Sequence, residues 1–538
     1  MAAAEKGKKK RAPLSSFTIL LIILVVLAIV TVIMSACGVE GVQGATLSQV
    51  LTAPVFGFQD AIGVCLFVMI LGGFLGIVTE TGALDAGIAA LVHKLKGNEL
   101  VLIPILMAIF SIGGTTYGMC EETVPFYLLL AATMVAAGFD SLTGAAVVLL
   151  GAGVGVMGST VNPFAVGVAV DALNGIGVSV NQGIIIALGV IIWLVSLAIA
   201  IVFVMRYAKK VKADKGSTFL SLQEQQAMMD EWGLKESETE AADDDAAATP
   251  KMSGRQKWSL IVFALTFVIM IVSFIPWADL GVTIFDAGAT TQEVTTTMTG
   301  DEIATFIDDA NDGATTTTIA EPVEATSVSE EEVTPAWSSF LTGVPLGSWY
   351  FDEASTWFLL MALIIGVIGG VSESRFVKAF INGAADMMSV VLIIALARSI
   401  TVLMAKTGLD MWILNNAAAA LTGMSAIIFA PLSFLLYIVL SFLIPSSSGM
   451  ATVSIPILGG LAHQLNFSVE TMVMIYSAGN GLVNLFTPTS GAIMGGLALA
   501  KIEYSTWLKF GAKLFVVLGI VCMVILTAAM LILPGGAA

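Results

Sequence analysis

Long apolar runs separated by short polar stretches recur along most of the chain. The first run, Phe17–Ala36, has 20 residues and no charge, and similar runs occur at about Ala61–Thr79, Trp258–Pro276 and Met387–Met404. These lengths match the roughly 20 residues that cross the hydrocarbon core of a bilayer as an α-helix. The pattern predicts an all-α polytopic membrane protein with about nine full spans.

Composition supports this class of protein and argues against several others. Of the 538 residues, 57% are hydrophobic and only 12% are charged, too few charges for a soluble protein of this length. The net charge of −17 arises mostly in two polar loops, and no nucleic-acid partner is expected. Four scattered cysteines and two histidines predict neither a disulfide framework nor a metal centre. The chain has no GxxxxGKS or GxxxxGKT motif and no recognisable catalytic constellation, which argues against a primary pump and an enzyme.

The basic residues predict the orientation of the spans, because cytoplasmic loops carry the excess of Lys and Arg. A basic cluster, Lys6–Arg11, precedes the first apolar run, which is too long for a signal peptide and lacks a convincing cleavage site. Counting spans from there places the other basic residues on the same side, except Arg398 and Lys406. We therefore expect a multi-pass protein of a bacterial or archaeal cytoplasmic (inner) membrane, with its N-terminus inside.

Two polar insertions divide the chain into six predicted segments. Both insertions show little apolar periodicity, and their acidic and Thr-rich tracts are typical of disorder. The second insertion lacks Lys and Arg altogether, so we expect it outside the cell and dispensable for activity. The segments are a basic cytoplasmic N-terminus (residues 1–16), a first membrane repeat (17–206), a cytoplasmic acidic linker (207–257), a linking transmembrane helix (258–277), an extracellular acidic insert (278–350) and a second membrane repeat (351–538).

The two membrane repeats match each other at three places, in the same order along the chain. The offsets are 326, 331 and 328 residues, and three matches at nearly one spacing favour a duplication. Charge counting puts the starts of the first pair on opposite sides of the membrane, so the repeats are inverted. Inverted repeats are typical of secondary transporters, which bind substrate near the midplane at discontinuous helices. The matched pairs are Asp60–Gly82 with Asp386–Gly408, Tyr117–Phe126 with Ser448–Ile457, and Gly138–Gly153 with Asn466–Gly481.

Each repeat has two polar interruptions in its apolar runs. Gly113–Glu122 and Ile444–Met450 predict re-entrant helical hairpins, and Gly158–Phe164 and Asn484–Gly491 predict one broken transmembrane helix in each repeat. Unwound backbone at membrane depth is tolerated only where protein or a water-lined cavity satisfies its polar groups. Singly, such polar side chains often bond only a neighbouring helix or backbone, but together they predict the lining of a substrate site. The candidates are Thr115, Thr116, Ser159, Thr160, Asn162, Ser446, Ser447, Ser448, Asn480, Asn484, Thr487, Thr489 and Ser490.

Three charged residues inside the membrane region add to these candidates. A carboxylate at this depth is costly, so we expect one of Glu121 and Glu122 to cap a half-helix and the other to bind substrate or a coupling cation. Arg398 lies in the middle of a predicted span. It could offset the charge of Glu121 or Glu122, or bind a substrate carboxylate bidentately.

Four motifs resemble those of the YfcC/DcuC-type carriers, a family often labelled as anaerobic four-carbon dicarboxylate carriers that includes basic amino acid exchangers. The motifs are "GTTYGMCEETVPFY", "GAGVGVMGSTVNPFAVG", "FLIPSSSGMATVSIPILGGLA" and "LVNLFTPTSGAIMGGLALAKI". The resemblance covers roughly residues 61–510 apart from both insertions. It implies the ion-transporter superfamily fold, in which a mobile transport domain of hairpins and broken helices moves like an elevator against a scaffold, usually in a homodimer.

The resemblance leaves the coupling ion open. Sodium-coupled dicarboxylate symporters of that superfamily carry Ser-Asn-Thr at both hairpin tips. This chain instead has Gly113-Gly114-Thr115-Thr116 and Ser446-Ser447-Ser448, so sodium coupling is not carried over. We expect no cofactor apart from a coupling cation, either Na+ or H+.

The charges of the predicted site favour one class of substrate. Two acids and one arginine suit a molecule with both a carboxylate and a cationic group, so we expect an amino acid, with basic ones such as arginine and ornithine first. A dicarboxylate carrier remains the alternative. An ion channel is the alternative from another class, since re-entrant loops also form selectivity filters. The expected partners are this small molecule, the lipid bilayer and a second copy of the chain.

Overall fold

The computed structural model describes residues 16–84, 86–87, 90, 99–232, 252–275, 277–278, 281–288, 290–298, 325–334 and 336–535. The predicted basic N-terminus lies outside the described residues apart from Ser16, as do residues 233–251 of the acidic linker and 299–324 of the insert.

The described chain consists almost entirely of helices, as the hydrophobic pattern predicts. Those before the insert are α1 (Ser16–Ala36), α2 (Leu47–Asp60), α3 (Ile62–Glu80), α4 (Leu102–Tyr117), α5 (Val124–Ala136), α6 (Ser141–Met157), α7 (Val168–Asn174), α8 (Gln182–Ala213), α9 (Leu222–Trp232) and α10 (Gly254–Phe274). Those after it are α11 (Phe351–Gly369), α12 (Glu373–Asp386), α13 (Met388–Thr407), α14 (Leu409–Leu421), α15 (Ala426–Leu443), α16 (Ser447–Gln464), α17 (Val469–Val483), α18 (Gly491–Leu499) and α19 (Tyr504–Ile532).

Nine helical segments within the described ranges are long and apolar enough to cross a membrane, which agrees with the expected number. The predicted runs at Phe17 and Met387 correspond to α1 and α13, while α10 begins at Gly254, before the predicted start. The sequence did not predict α2 as a separate helix. It ends at Asp60, and α3 begins two residues later.

The residues divide into two compact units, of which the smaller comprises Val272–Glu353. This unit contains a two-stranded antiparallel sheet of β1 (Thr290–Met298) and β2 (Ala325–Thr334). The sequence analysis expected disorder here. Because Thr and Val are β-branched and favour extended backbone, their acidic tracts can pair as strands despite low hydrophobicity.

Beyond the strands, the described chain of the insert closes on itself. The Trp337 indole N–H donates to the Ile284 carbonyl at 2.6 Å, and the Ser338 hydroxyl donates to the Phe285 carbonyl at 2.7 Å. These bonds join the two ends of the insert outside the sheet. The sheet therefore extends from a base, formed by the residues on either side of it, that these two bonds hold together without the strands.

The larger unit, Met1–Ile271 with Ala354–Ala538, contains two reciprocal helix pairs. Helix α3 packs on α12, and α2 packs on α13. Glycines permit both contacts, since a Cβ on Gly57 would meet the backbone of Ser399, and one on Gly383 would meet the backbone of Gly72. The Cys65 thiol points at the Val391 carbonyl, 3.8 Å away, where the two pairs meet.

Helix α17, whose residues are all buried, and helix α6, buried except for Gly153, lie at the centre of this unit and contact each other. Helices α4 and α5 pack on α6, and α15 and α16 pack on α17. The polar interruptions predicted from the sequence all fall at the ends of these six helices. The candidate site therefore lies in the most buried part of the structure.

Part of the acidic linker, which we expected to be mostly disordered, forms a helix. Helix α9 lies in it, and the side chains of Leu220 and Glu224 are buried. Buried contacts offset the entropy of ordering a segment that is poor in hydrophobic residues.

We predict that deletion of residues 290–334, which contain both strands, leaves activity unchanged. Among the described residues, β1 and β2 pair only with each other, and the bonds of Trp337 and Ser338 that close the base stay intact. Uptake by proteoliposomes should stay within about twofold of that of the intact chain. Complete loss of uptake by a deletion variant that retains the unfolding temperature of the intact chain would contradict the prediction.

Candidate functional site

The hairpin tips and helix breaks lie close to their predicted positions, with one difference. Helix α4 continues to Tyr117 and ends at Gly118, whose φ of 79° is in the left-handed region. The stretch Gly113–Thr116, predicted to be part of the interruption, is therefore helical. The first tip consists of Gly118 to Thr123, and the first break runs from Gly158 to a π-helical turn, Pro163–Gly167.

The end of α4 and the first break are joined by buried threonines. The Thr115 hydroxyl donates to the Gly158 carbonyl at 2.6 Å. In return, the Thr115 carbonyl accepts from both the hydroxyl (3.0 Å) and the backbone N–H (2.8 Å) of Thr160. Since both side chains bond backbone groups that no helix satisfies, their first role is to hold the break together. Thr116 stays on its own helix, where its hydroxyl donates to the Ile112 carbonyl at 2.7 Å.

Asn162 organises the rest of the first break. Its Nδ2 donates to the Ser159 hydroxyl at 2.9 Å, and its Oδ1 accepts from the backbone N–H groups of Phe164 and Ala165. Asn162 thus caps the helical turn that follows the break. A Cβ on Gly118 would collide with the Asn162 amide, so the hairpin tip touches this side chain directly.

The second hairpin is tied to the second break in a similar way. The Thr489 hydroxyl donates to the Phe442 carbonyl at 3.0 Å and lies 2.6 Å from the Thr487 hydroxyl. Ser490, also buried, precedes the first residue of α18. The break is therefore closed onto the end of α15 by a threonine, as the first break is closed onto α4.

A pair of asparagines occupies the end of α17. The Asn484 Nδ2 donates to the Asn480 Oδ1 at 3.0 Å. Asn480 is buried, and its Nδ2 has no hydrogen-bond partner among the described residues. A buried amide with a free donor is costly unless a ligand or water accepts from it.

The serines of the second tip make local contacts. The Ser446 hydroxyl accepts from the Gly449 N–H at 3.2 Å and so caps α16. The Ser447 carbonyl accepts from the Tyr476 hydroxyl at 2.6 Å, and the Ser448 carbonyl accepts from the Thr452 hydroxyl at 3.0 Å. All three serines are half-buried.

A small cavity joins the first tip to the second break. It has a volume of about 20 Å³ and is lined by residues of the first tip, α5, α6 and α18, with Cys120, Thr123, Tyr127 and Asn484 as its polar side chains. This volume holds about one water molecule. The cavity thus joins residues of both repeats, but Asn484 is the one predicted site residue in its lining, and its volume is too small for an amino acid.

Of the two acids, Glu122 accepts a backbone hydrogen bond beside the short turn that precedes α5, and no side-chain bond among the described residues caps α5 itself. Glu122 is 3% exposed, and its Oε2 accepts from the Cys120 N–H at 3.0 Å. Glu121 lies in the same short helical turn, Glu121–Thr123, but its side chain is outside the described part of the chain.

Arg398 pairs with an acid that the sequence analysis did not name as its partner. Its Nε lies 3.7 Å from Oδ2 of Asp60, the last residue of α2, and the two side chains are 28% and 50% exposed. One turn earlier on α13, Ile394 touches Gly491 at the start of α18. Arg398 therefore lies one turn beyond the contact between α13 and the second break. Asp60 begins the first matched segment of the repeats, but that match aligns it with Asp386 and gives no signal for a pairing with Arg398.

Comparison with known proteins places these features in a family. The family model described as "C4-dicarboxylate anaerobic carrier" (DcuC) matches residues 15–531. A protein of Haemophilus influenzae without a described function is 27% identical over 465 residues, covering 86% of this chain and 74% of the relative. The putative basic amino acid antiporter YfcC of Escherichia coli is 26% identical over 485 residues, covering 88% and 78%.

One solved structure aligns with most of this chain at low sequence identity. The YdaH transporter of Alcanivorax borkumensis aligns over 96% of this chain and 98% of its own, with 14% identity and a TM-score of 0.43.

We predict that Asn162→Ala and Asn484→Ala each weaken ligand binding about tenfold or more, because each removes an amide from a break. Asn382→Ala should have no effect, since Asn382 is exposed on α12, outside both breaks. Binding is measured by calorimetry with whichever of arginine and succinate the intact protein binds. Asn484→Ala is the cleaner variant, because Asn162→Ala also removes a cap. Equal affinities for all three variants would refute the assignment of the breaks to the site.

We predict a second effect, on stability, at the ion pair of Arg398. Arg398→Gln and Asp60→Asn should each lower the unfolding temperature in detergent, and the double variant should recover most of the loss. A coupling energy of about 1 kcal/mol is expected, at the upper end for a partly exposed pair. Glu122→Gln combined with Arg398→Gln is the control and should be additive. Recovery in that control instead would mean that Arg398 offsets Glu122.

Proposed function

Because the chain belongs to the C4-dicarboxylate anaerobic carrier (DcuC) family, we propose that it is a secondary active transporter of a small charged metabolite. Under this proposal the substrate is an amino acid, with basic ones such as arginine and ornithine favoured, and it crosses the cytoplasmic membrane by alternating access. Either uptake or exchange fits this mechanism. Na+ or H+ is the coupling cation.

Reciprocal contacts support inverted repeats as the basis of the mechanism. A Cβ on Gly153 would meet Leu485, and one on Gly481 would meet Met157. The two glycines are 328 residues apart, and so are Met157 and Leu485, which is the offset of the matched segments. The thiol-to-carbonyl contact of Cys65 and Val391 likewise joins residues 326 apart. A two-fold relation between the halves accounts for all of these contacts.

We propose an elevator movement, which the association of the helices supports. We assign α4–α8 and α15–α19 to the mobile domain and α2, α3, α12 and α13 to the scaffold. Between them, Gly491 and Gly495 of α18 face Ile394 and Val390 of α13. An apolar, glycine-lined contact contains few hydrogen bonds that a sliding movement must break. Movement is also needed to admit substrate, since the cavity at the first tip is too small for an amino acid.

The pairing of Arg398 with Asp60 is the observation that favours an amino acid over a dicarboxylate. Asp60 already offsets the arginine charge, so a second substrate carboxylate would gain little there. Glu121 and Glu122 are neighbours in the first tip, and acids suit a cationic group. The name of the Escherichia coli relative points the same way. A dicarboxylate carrier is the second candidate, favoured by the family description.

The remaining features complete the proposal. The protein acts as a homodimer in the bilayer, with its N-terminus in the cytoplasm and the insert outside. An ion channel is distinguished by turnover, since channels conduct far faster than alternating access allows.

We predict that Glu121→Gln or Glu122→Gln lowers the affinity for arginine, lysine and ornithine by about tenfold or more, because an ionic contact to the substrate is lost. The unfolding temperature should change little. The matched control is Glu373→Gln, which neutralises an exposed acid in the first turn of α12. Binding is followed by thermal shift and calorimetry against these amino acids and succinate.

Binding of succinate without binding of basic amino acids would contradict the proposed substrate. If the intact protein and all three variants bind succinate alike, and none binds a basic amino acid, the substrate choice is wrong. The dicarboxylate carrier then replaces it.

A further inference from the structure

The ordered part of the acidic linker, residues 214–232, is here called the strap. It contacts residues at the ends of α6, α8 and α19. Near its start, the Thr218 hydroxyl donates to Oδ2 of Asp140 at 2.6 Å, and the Tyr207 hydroxyl of α8 donates to the same oxygen at 2.5 Å. The other oxygen of Asp140 caps α6 through the Thr143 N–H at 2.8 Å. The strap is therefore joined to the helix that leads to the first break.

Farther along, the strap places a buried carboxylate at the start of α19. Glu224 is 4% exposed. Its Oε1 accepts from the Glu503 N–H at 2.8 Å, and its Oε2 accepts from the Thr506 hydroxyl at 3.0 Å and from the Ser221 N–H at 2.6 Å. All three partners are donors, which suits an ionised carboxylate, and the position at a helix N-terminus favours its negative charge.

The helical turn that Glu224 caps is bonded directly to the second break. The Tyr504 hydroxyl donates to the Phe486 carbonyl at 2.6 Å, and the Trp507 indole N–H donates to the Leu485 carbonyl at 2.8 Å. Both carbonyls lie between Asn484 and Thr487, where the helix is interrupted and side chains must supply the missing donors. Glu224 thus fixes the turn that holds the backbone of the break.

In the second repeat, a carboxylate on α17 itself caps the start of the helix α8 without a strap. Glu470, in the first turn of α17, accepts from the Asn181 N–H at 3.1 Å and so caps the start of α8. At the 328-residue offset, the counterpart of Glu470 is Leu142, which has no acceptor. The first repeat therefore cannot cap α19 from α6. The strap supplies the carboxylate that this repeat lacks.

We infer that Glu224 is a positioning residue for the substrate site: through the first turn of α19 and Tyr504, it holds the second break in the geometry that presents Asn484 and Thr487. This inference rests on the proposed function, in which the breaks bind the substrate. The strap is then a working part of the transport domain rather than a passive connection between the repeats.

Hydrogen–deuterium exchange of the full chain in detergent, without any ligand, tests the positioning. Glu224→Gln keeps the shape of the side chain but turns an amide donor toward one of three donors. Exchange should rise about tenfold in residues 484–491, and by less than about twofold at the first break, residues 158–162. The matched control is Glu231→Gln in the same helix. The exposed Glu231 carboxylate lies 3.3 Å from Nζ of Lys501, and its loss should raise exchange at neither break.

Two further variants keep the test decisive if Glu224→Gln does not fold. Thr506→Val removes one donor to Glu224 from the side of α19, and Tyr504→Phe removes the bond to the break and leaves the strap intact. Each should raise exchange at residues 484–491 alone. If the double variant Glu224→Gln with Tyr504→Phe folds, its exchange at residues 484–491 should exceed that of the stronger single variant by less than about twofold. Both changes act on the same chain of contacts, so their effects should not multiply. Equal increases at both breaks, or a double variant whose effects multiply, would overturn the inference.

Binding separates this inference from the proposed function. If Glu224→Gln loosens residues 484–491 while Asn484→Ala leaves the affinity for arginine and succinate unchanged, the positioning stands and the location of the substrate site fails. If Asn484→Ala loses binding while Glu224→Gln changes neither exchange nor affinity, the site stands and the positioning fails.

Discussion

The backbone of two interrupted helices must find hydrogen-bond partners inside the membrane, and the rest of the structure follows from this constraint. Peptide groups freed at a break have no access to bulk water, so each must be bonded by a side chain, a neighbouring element or water in a cavity. Threonines meet this need on both hairpins, as Thr115 and Thr160 do at the first break and Thr489 at the second. The breaks are thereby rigid enough to present their remaining polar groups to a ligand.

The sequence predicted the positions of the breaks well because their signal is local. Glycine, proline and hydroxyl residues interrupt apolar runs visibly, and the predicted stretches coincide with the helix ends. The helical state of Gly113–Thr116 was missed, since Thr115 and Gly114 pack tightly against α6 and tertiary contact outweighs the low helix propensity of glycine. Periodicity carries no information about such a contact.

The sequence also did not predict contacts between residues that are far apart along the chain. Arg398 was recognised as deep and charged, but nothing in the order of residues links it to Asp60 across more than three hundred positions. The role of Glu224 was not predicted for a different reason. Glu224 lies in an acidic segment whose average composition indicates disorder, and one buried carboxylate hardly changes an average. Its role depends on Leu142 being apolar, which only the comparison of the two repeats reveals.

The crossing of α6 and α17 limits how the specificity of such a carrier can be altered. Gly153 faces Leu485 and Gly481 faces Met157, so a larger side chain at either glycine would push on the opposite break. Engineering one half of the site alone would then disturb the other half as well. Libraries designed to change the substrate should therefore vary the two halves together, as matched pairs of positions, and leave both glycines fixed.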